Sequence, residues 1–306
     1  MKPLKSAVQD YVSLRRSLGF KLQWIPNLLA DFVAFLKRQG ADHITIPLAL
    51  QWSQQNQQAK PVTVAKRLSM VRGFARYRSA TDPRTQIPPH GLLCCRSDRT
   101  RPYLYTGDEV RHLLKATREL GGLDGLTHYC LFGLLSAAGL RISEALNLRL
   151  QDVDLGEGML TVIGTKFGKS RLVPIHPSTQ KVLTRYARER DRTCRGSVTH
   201  FFVNHSGDQL NAKRVQCIFR RLSRQIGIRD QTASHGPRLH DFRHTFAVGT
   251  LVNWYRSGQD IEQRLPVLST YLGHARVSDT YWYLSACPEL LGLAVNRFER
   301  HWEDAQ

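Results

Sequence analysis

Six residues between positions 141 and 283 have types suited to holding and handling an anion: Arg141, Lys166, His240, Arg243, His274 and Tyr283. Arg141 follows a tight glycine turn in Gly139-Leu140-Arg141-Ile142-Ser143-Glu144, at what reads as a helix start. A guanidinium held there offers a planar fork of donors that matches a phosphate. His240 and Arg243 stand three apart in His240-Asp241-Phe242-Arg243-His244-Thr245, so on a helix they share a face. The arginine favours the neutral imidazole, because like charges repel. Gly273 lets a turn carry His274 into a pocket, and Thr280-Tyr281-Trp282-Tyr283 follows. Lys166 lies in a glycine-flanked basic turn, Gly164 to Ser170. Singly, each has an ordinary explanation. Arg141 could be a surface ion pair with Glu144, the tyrosines amphipathic packing, the lysine a solvated turn residue. In this order and spacing the ordinary readings no longer hold together.

The elements that must position these groups are mostly helical. Apolar stripes at Val8, Tyr11, Val12, Leu14 and Leu18, then at Leu28 to Leu36, predict two helices, the second ended by Gly40. A short third is expected over Ile46–Trp52. A fourth opens at Pro61 and carries Lys66, Arg67, Arg72, Arg76 and Arg78. That basic row is either a solvated face or a phosphate-contacting one. Proline and glycine break the pattern over 81–103, where Arg96, Arg99 and Arg101 follow, so a basic interdomain linker is expected at 83–103. Thr106 or Asp108 can cap a helix over 109–119. Another helix is expected from about Thr127 to Ala138, ended by Gly139, with a restart over Arg141–Leu148. The period then changes: Met159–Ile163 and Arg171–Ile175 read as a hairpin around the turn that holds Lys166. Helical patterns dominate from Pro177 onward, and the tail 288–306 reads as an amphipathic helix. The expected fold is mainly α with a small antiparallel β-sheet. The expected domains are 1–82, the linker 83–103, and 104–306.

Charge points to the partner. The chain has 44 Lys+Arg against 25 Asp+Glu, a net +19. The first hundred residues hold sixteen of the basic residues against five aspartates and no glutamate. A balance this basic favours a polyanion. No apolar run approaches the roughly 20 residues that span a bilayer, and the N-terminus lacks a secretory pattern. Six cysteines without a C-x-x-C pair read as reduced thiols of a cytoplasmic protein. No sequence framework for a metal is present, and none is expected.

The six residues and their surroundings resemble the active-site set of the tyrosine recombinases, the phage integrase family that includes the Xer recombinases. Gly139–Glu144 matches its G-L-R-I-S-E context, and Thr165–Pro174 resembles its basic hairpin. Residues 240–245 match its H-x-L-R-H-T box with Phe242 for leucine. Leu272-Gly273-His274 matches its L-G-H box, with the nucleophile nine residues on at Tyr283. Tyr281 is the competing nucleophile, and Lys169 competes with Lys166. The resemblance covers roughly 104–290, and more loosely 1–80.

That resemblance implies a helical, SAM-like core-binding domain followed by a mixed α/β catalytic domain. It implies a site-specific recombinase that cuts and rejoins double-stranded DNA through a 3′-phosphotyrosyl link and a Holliday junction, without metal or other cofactor. Arg141 and Arg243 would clamp the phosphate, His240 accept the phenol proton, Lys166 protonate the leaving 5′ oxygen, and His274 orient the phosphate. A homo-tetramer is implied, with a trans contact through the helix 288–306, although residue order alone equally allows that helix to pack on its own domain; accessory directionality proteins are compatible with it. A mobile element or phage is the expected setting. Two rivals remain: type IB topoisomerase-like relaxation, and a non-catalytic DNA-binding protein of the same fold.

Overall fold

In the computed structural model, the described residues are 2–93, 101–163, 170–233 and 235–303. The chain divides into two compact units, Met1–Thr100 and Arg101–Gln306.

Among its described residues the first unit has four helices: α1 (Leu4–Ser17), α2 (Ile25–Arg38), α3 (Ile46–Gln54) and α4 (Pro61–Ser79). Helices α2, α3 and α4 each have proline in their first two positions, where no backbone N–H is missed. Gly40 at φ +68° closes α2, and the Ala41 amide bonds the Leu36 carbonyl at 3.0 Å. Leu29, Phe32, Phe35, Leu36, Trp52, Leu68, Val71 and Phe74 form the core. On α1 the buried face is Ala7, Val8, Tyr11 and Val12, whereas Leu14 and Leu18 are exposed. Leu14 lies at the edge of that stripe, one heptad on from Ala7, and Leu18 falls just beyond the end of the helix.

The expected linker begins later than its composition suggests. Residues 82–90 lie on the first unit: Gln86 donates its amide to the Ile44 carbonyl, and Pro88 and Pro89 accept from Arg72. Proline there prevents helix without freeing the chain.

The second unit opens with α5 (Gly107–Thr117), α6 (Gly122–Ala138) and α7 (Ile142–Leu146). Thr106 caps α5 in a reciprocal box with Glu109. Helix α6 begins at Gly122, earlier than its apolar pattern, and within its first turn Gly125 packs where a Cβ would meet the Thr117 carbonyl at 3.0 Å. Three antiparallel strands follow in the order β1 (Val153–Asp154), β2 (Met159–Val162), β3 (Arg171–Pro174). Leu160 faces Val173 and Val162 faces Arg171 across the hairpin; its turn, 164–169, lies outside the described residues. The remainder is helical: α8 (Pro177–Thr193), α9 (Ala212–Gln225), α10 (Asp241–Arg256), α11 (Ile261–Leu272), α12 (Ser278–Ala286) and α13 (Pro288–Glu303). One core gathers α5–α9 around the sheet, and a second joins α10–α13.

Helix α13 lies within its own unit. It packs on α10 of its own unit, with Leu290 buried at 1% exposure and Arg256 paired to Glu289 at 2.7 Å. Leu290 is buried there, whereas Leu291 and Val295 are exposed. No helix of the described residues is long and apolar enough to cross a membrane.

Candidate active site

Two left-handed glycines shape the floor of the site. Gly139, at φ +59°, ends α6 and lets the chain reverse directly into α7. A Cβ there would lie 2.6 Å from Phe246 Cδ1. Gly273, at φ +66°, ends α11 and presents His274. A Cβ there would lie 2.8 Å from Arg171 Nη1.

Arg141 is the N-cap residue of α7. Its Nη1 donates to Glu144 Oε1 at 2.7 Å, and its Nη2 to the Gly273 carbonyl at 3.2 Å. Glu144 also receives both ends of the Arg171 guanidinium, at 3.0 and 2.9 Å. Burial would raise the Glu144 pKa, but the hydrogen bonds from Arg171 and Arg141 win and hold it near 2.

Arg243 sits in the first turn of α10, 1% exposed. Its Nη1 bonds the Gly139 carbonyl at 3.0 Å, and its Nη2 bonds the Leu272 carbonyl. Burial, and then Arg141, lower its pKa to about 10, so it stays charged at neutral pH. The element carrying it is fixed from outside. Asp241 takes the Arg238 amide and guanidinium at 2.8 Å each, and Tyr105 stacks on Phe242 at 4.4 Å. The Tyr105 amide bonds Thr245 Oγ1 at 3.0 Å.

Tyr283, on α12, is 2% exposed. Burial raises its pKa, while the nearby Arg243 charge and a hydrogen bond with that guanidinium pull it back. The rival Tyr281 points outward, 56% exposed. His274 stacks on Tyr283 with ring centroids 6.1 Å apart, and its Nδ1 lies 2.7 Å from Thr280 Oγ1. Burial, followed by Arg243, lowers the His274 pKa to about 4. Burial and Arg243 also lower that of His240. His240 immediately precedes α10 as its N-cap, with φ −70° and ψ −22° in the helical region, so it stands one turn before Arg243 at the helix entrance.

Thus Arg141, His240, Arg243, His274 and Tyr283 come together around one spot. Lys166, like its rival Lys169, lies outside the described residues. Sequence reasoning passed over three contributors. Arg171 braces Glu144 and the Tyr271 carbonyl. Thr280 holds His274, and a polar residue three before the tyrosine was its one visible signal. His244 packs between His240 (4.7 Å) and Tyr283 (5.5 Å), with its Nδ1 buried and unpartnered. Among the described residues, no group of three or more His, Cys, Asp or Glu could hold a metal.

The basic row on α4 separates into two sets. Lys66 and Arg76 are exposed. Arg67 stacks over Trp52 at 4.1 Å and Arg72 bonds two proline carbonyls. Arg78 is a correction: it is 2% exposed, donates to the Lys2 carbonyl at 2.9 Å and pairs with buried Asp82, so it cannot meet a phosphate. It falls on the same helical stripe as Val71 and Ala75, which carries it inward. Arg101 is exposed, and Arg96 and Arg99 lie outside the described residues.

The phage integrase family profile matches residues 104–289. A Sinorhizobium fredii protein, an integrase/recombinase by name (y4rB), is 51% identical over 99% of both chains. Tyrosine recombinase XerD of Caulobacter vibrioides is 30% identical, covering 87% of this chain and 86% of its own. Among solved structures, the Tn1549 transposon integrase with transposon right end DNA superposes with TM-score 0.69 at 16% identity, over 96% of this chain and 98% of its own. A lambda integrase dimer bound to a COC′ core site gives 0.63 at 16%, over 90% and 96%. At such identity these structures speak for the fold.

Proposed function

The chain belongs to the phage integrase family and is a tyrosine recombinase, an enzyme that transfers DNA strands, and on that premise we propose how its residues divide the work. The substrate is double-stranded DNA at a specific site. The Tyr283 oxygen attacks the scissile phosphorus, the bond to the 5′ oxygen breaks, and a 3′-phosphotyrosyl link forms. Arg141 and Arg243 hold the non-bridging oxygens as charge develops on them. Neutral His240 accepts the phenol proton. Lys166 protonates the departing 5′ oxygen, a role that rests on the hairpin resemblance. His274 donates to the phosphate from a ring steadied by Thr280. A 5′ hydroxyl from a second strand then attacks the phosphotyrosine, so bond energy is conserved and no nucleotide is consumed. Two such exchanges in a homo-tetramer pass through a Holliday junction. The integrase names and the transposon integrase among the similar proteins favour a mobile element as the setting.

One observation carries this reading: the buried Tyr283 ring lies against His274, with centroids 6.1 Å apart, where the charge of buried Arg243 acts on its phenol. The guanidinium that would grip the phosphate and the oxygen that would attack it belong to one buried cluster.

The test is trapping. Purified protein is incubated with nicked duplexes from its own genomic neighbourhood and run on a denaturing gel. A covalent adduct that Tyr283→Phe abolishes and Tyr281→Phe retains is expected. An adduct that persists in Tyr283→Phe moves the nucleophile elsewhere. Tight binding without any adduct leaves a DNA-binding protein and removes the strand-transfer mechanism.

A further inference from the structure

Building on the reading of Arg141 as a phosphate clamp, we infer that Arg171 is a positioning residue that sets the pose of Arg141 through Glu144. Arg171 opens β3, and its side chain is 9% exposed. Its Nε donates to the Tyr271 carbonyl at 2.7 Å, in the last turn of α11. Its two terminal nitrogens grip Glu144 Oε1 and Oε2 at 3.0 and 2.9 Å. Its guanidinium also fills the space against Gly273 that a side chain there would need. One side chain therefore touches the sheet, α7 and the turn that presents His274.

The consequence lies in how the carboxylate is shared. Glu144 Oε1 takes Arg141 Nη1 at 2.7 Å, and Oε2 takes the Arg141 backbone amide at 2.9 Å. Each carboxylate oxygen thus serves one donor from Arg141 and one from Arg171. A carboxylate left to a single arginine adopts the paired, two-bond arrangement. Without Arg171, Glu144 is free to turn and take both ends of the Arg141 guanidinium, drawing it off its phosphate-facing pose. With Arg171 in place, Glu144 engages one corner of that guanidinium, and Arg141 Nη2 stays at the Gly273 carbonyl beside His274. The three groups together carry one net positive charge, so the clamp keeps its sign while its direction is fixed.

A charge-neutral substrate separates positioning from packing. The nicked duplex that forms an adduct with the wild-type chain is made with either a diester or a methylphosphonate at the scissile position. The methylphosphonate lacks one negative oxygen and depends less on the clamp. Arg141→Ala provides the reference, slow on the diester and substantially recovered on the methylphosphonate. Arg171→Lys keeps the charge but cannot occupy both carboxylate oxygens in a fork. It should slow adduct formation on the diester about 100-fold, the scale of a misplaced catalytic group. It should recover on the methylphosphonate as Arg141→Ala does, with duplex binding in a mobility shift unchanged. Arg171→Gln, shorter in reach and uncharged, provides a second probe with the same expected selectivity. Equal slowing on both substrates by both variants, or no slowing, overturns the inference. If Arg141→Ala itself is slowed equally on both, the clamp reading falls and the inference falls with it; if only the Arg171 variants lack selectivity, the clamp stands and the coupling does not.

Discussion

Burying a guanidinium is costly unless its N–H groups find acceptors, and Arg243 finds them in the carbonyls of Gly139 and Leu272. The backbone at Gly139 therefore serves two ends, a left-handed turn and an acceptor for the clamp. Gly139→Ala forces a Cβ into a conformation costing roughly 1–2 kcal/mol and against the Phe246 ring. A loss of at least that size is expected in urea unfolding, together with a weaker adduct. The imidazoles give the site its acid sensitivity. His244 and His274 are held near 4, burial being the main cause, against 6.5 for the free side chain. Between those values the unfolded chain binds protons that the fold refuses, so stability falls as pH drops from about 6.5 towards 4. The melting temperature should decline over that window, and less steeply in His244→Phe, which keeps the ring and loses the titration. An unchanged slope would show that His244 does not titrate there. At this scale the sequence was informative where a residue type is rare in its setting, as for an arginine beside a histidine. It was uninformative about Arg171, because the partner that gives it meaning is 27 residues away across a hairpin.

Among the elements, α7 has five residues, too few to persist by helix propensity alone. It holds its place through Glu144 and through Ala145 and Leu146 in the core. Periodicity found the long helices and the hairpin, and these were legible because burial repeats along them. Boundaries without an apolar mark, such as the start of α6 at Gly122, were not legible. Arg78 was misread for a related reason: charge was weighed and helical phase was not. Helix α13 makes a testable case. Leu290 is its deepest anchor among the described side chains, while Leu291 and Val295 face outward. Leu290→Ala should cost roughly 2–5 kcal/mol of local stability. Limited proteolysis should then cut within α13 much faster than in the wild-type chain. The Arg256–Glu289 pair is exposed and contributes little, so Arg256→Ala should leave the cutting rate nearly unchanged. Equal rates for Leu290→Ala and wild type would mean that α13 is not seated on α10 in solution.

For the molecule as a whole, the +19 charge sets how it meets a polyanion. Affinity for duplex DNA of arbitrary sequence should fall by roughly a thousandfold or more between about 50 and 200 mM salt, as condensed counterions are released on binding. Fluorescence anisotropy across that range measures the slope. Lys66→Ala and Arg76→Ala should each flatten it, while Arg78→Ala should instead lower the stability of the first unit. A flat response in the wild-type chain would remove the electrostatic account of binding. The charge was legible from composition, but which cations reach solvent was not, because Arg67, Arg72 and Arg78 are spent on internal partners. The two units also have separate interiors: the core of the first draws its buried members from positions 7–75, and the cores of the second begin at Tyr105. Among the described residues, each core is built from side chains of its own unit. A damaging change in one therefore leaves the other standing, and each half is free to accumulate substitutions at its own pace. Over generations such a chain can alter one half while inheriting the other intact, and a half borrowed from a relative needs no renegotiation of the neighbouring core.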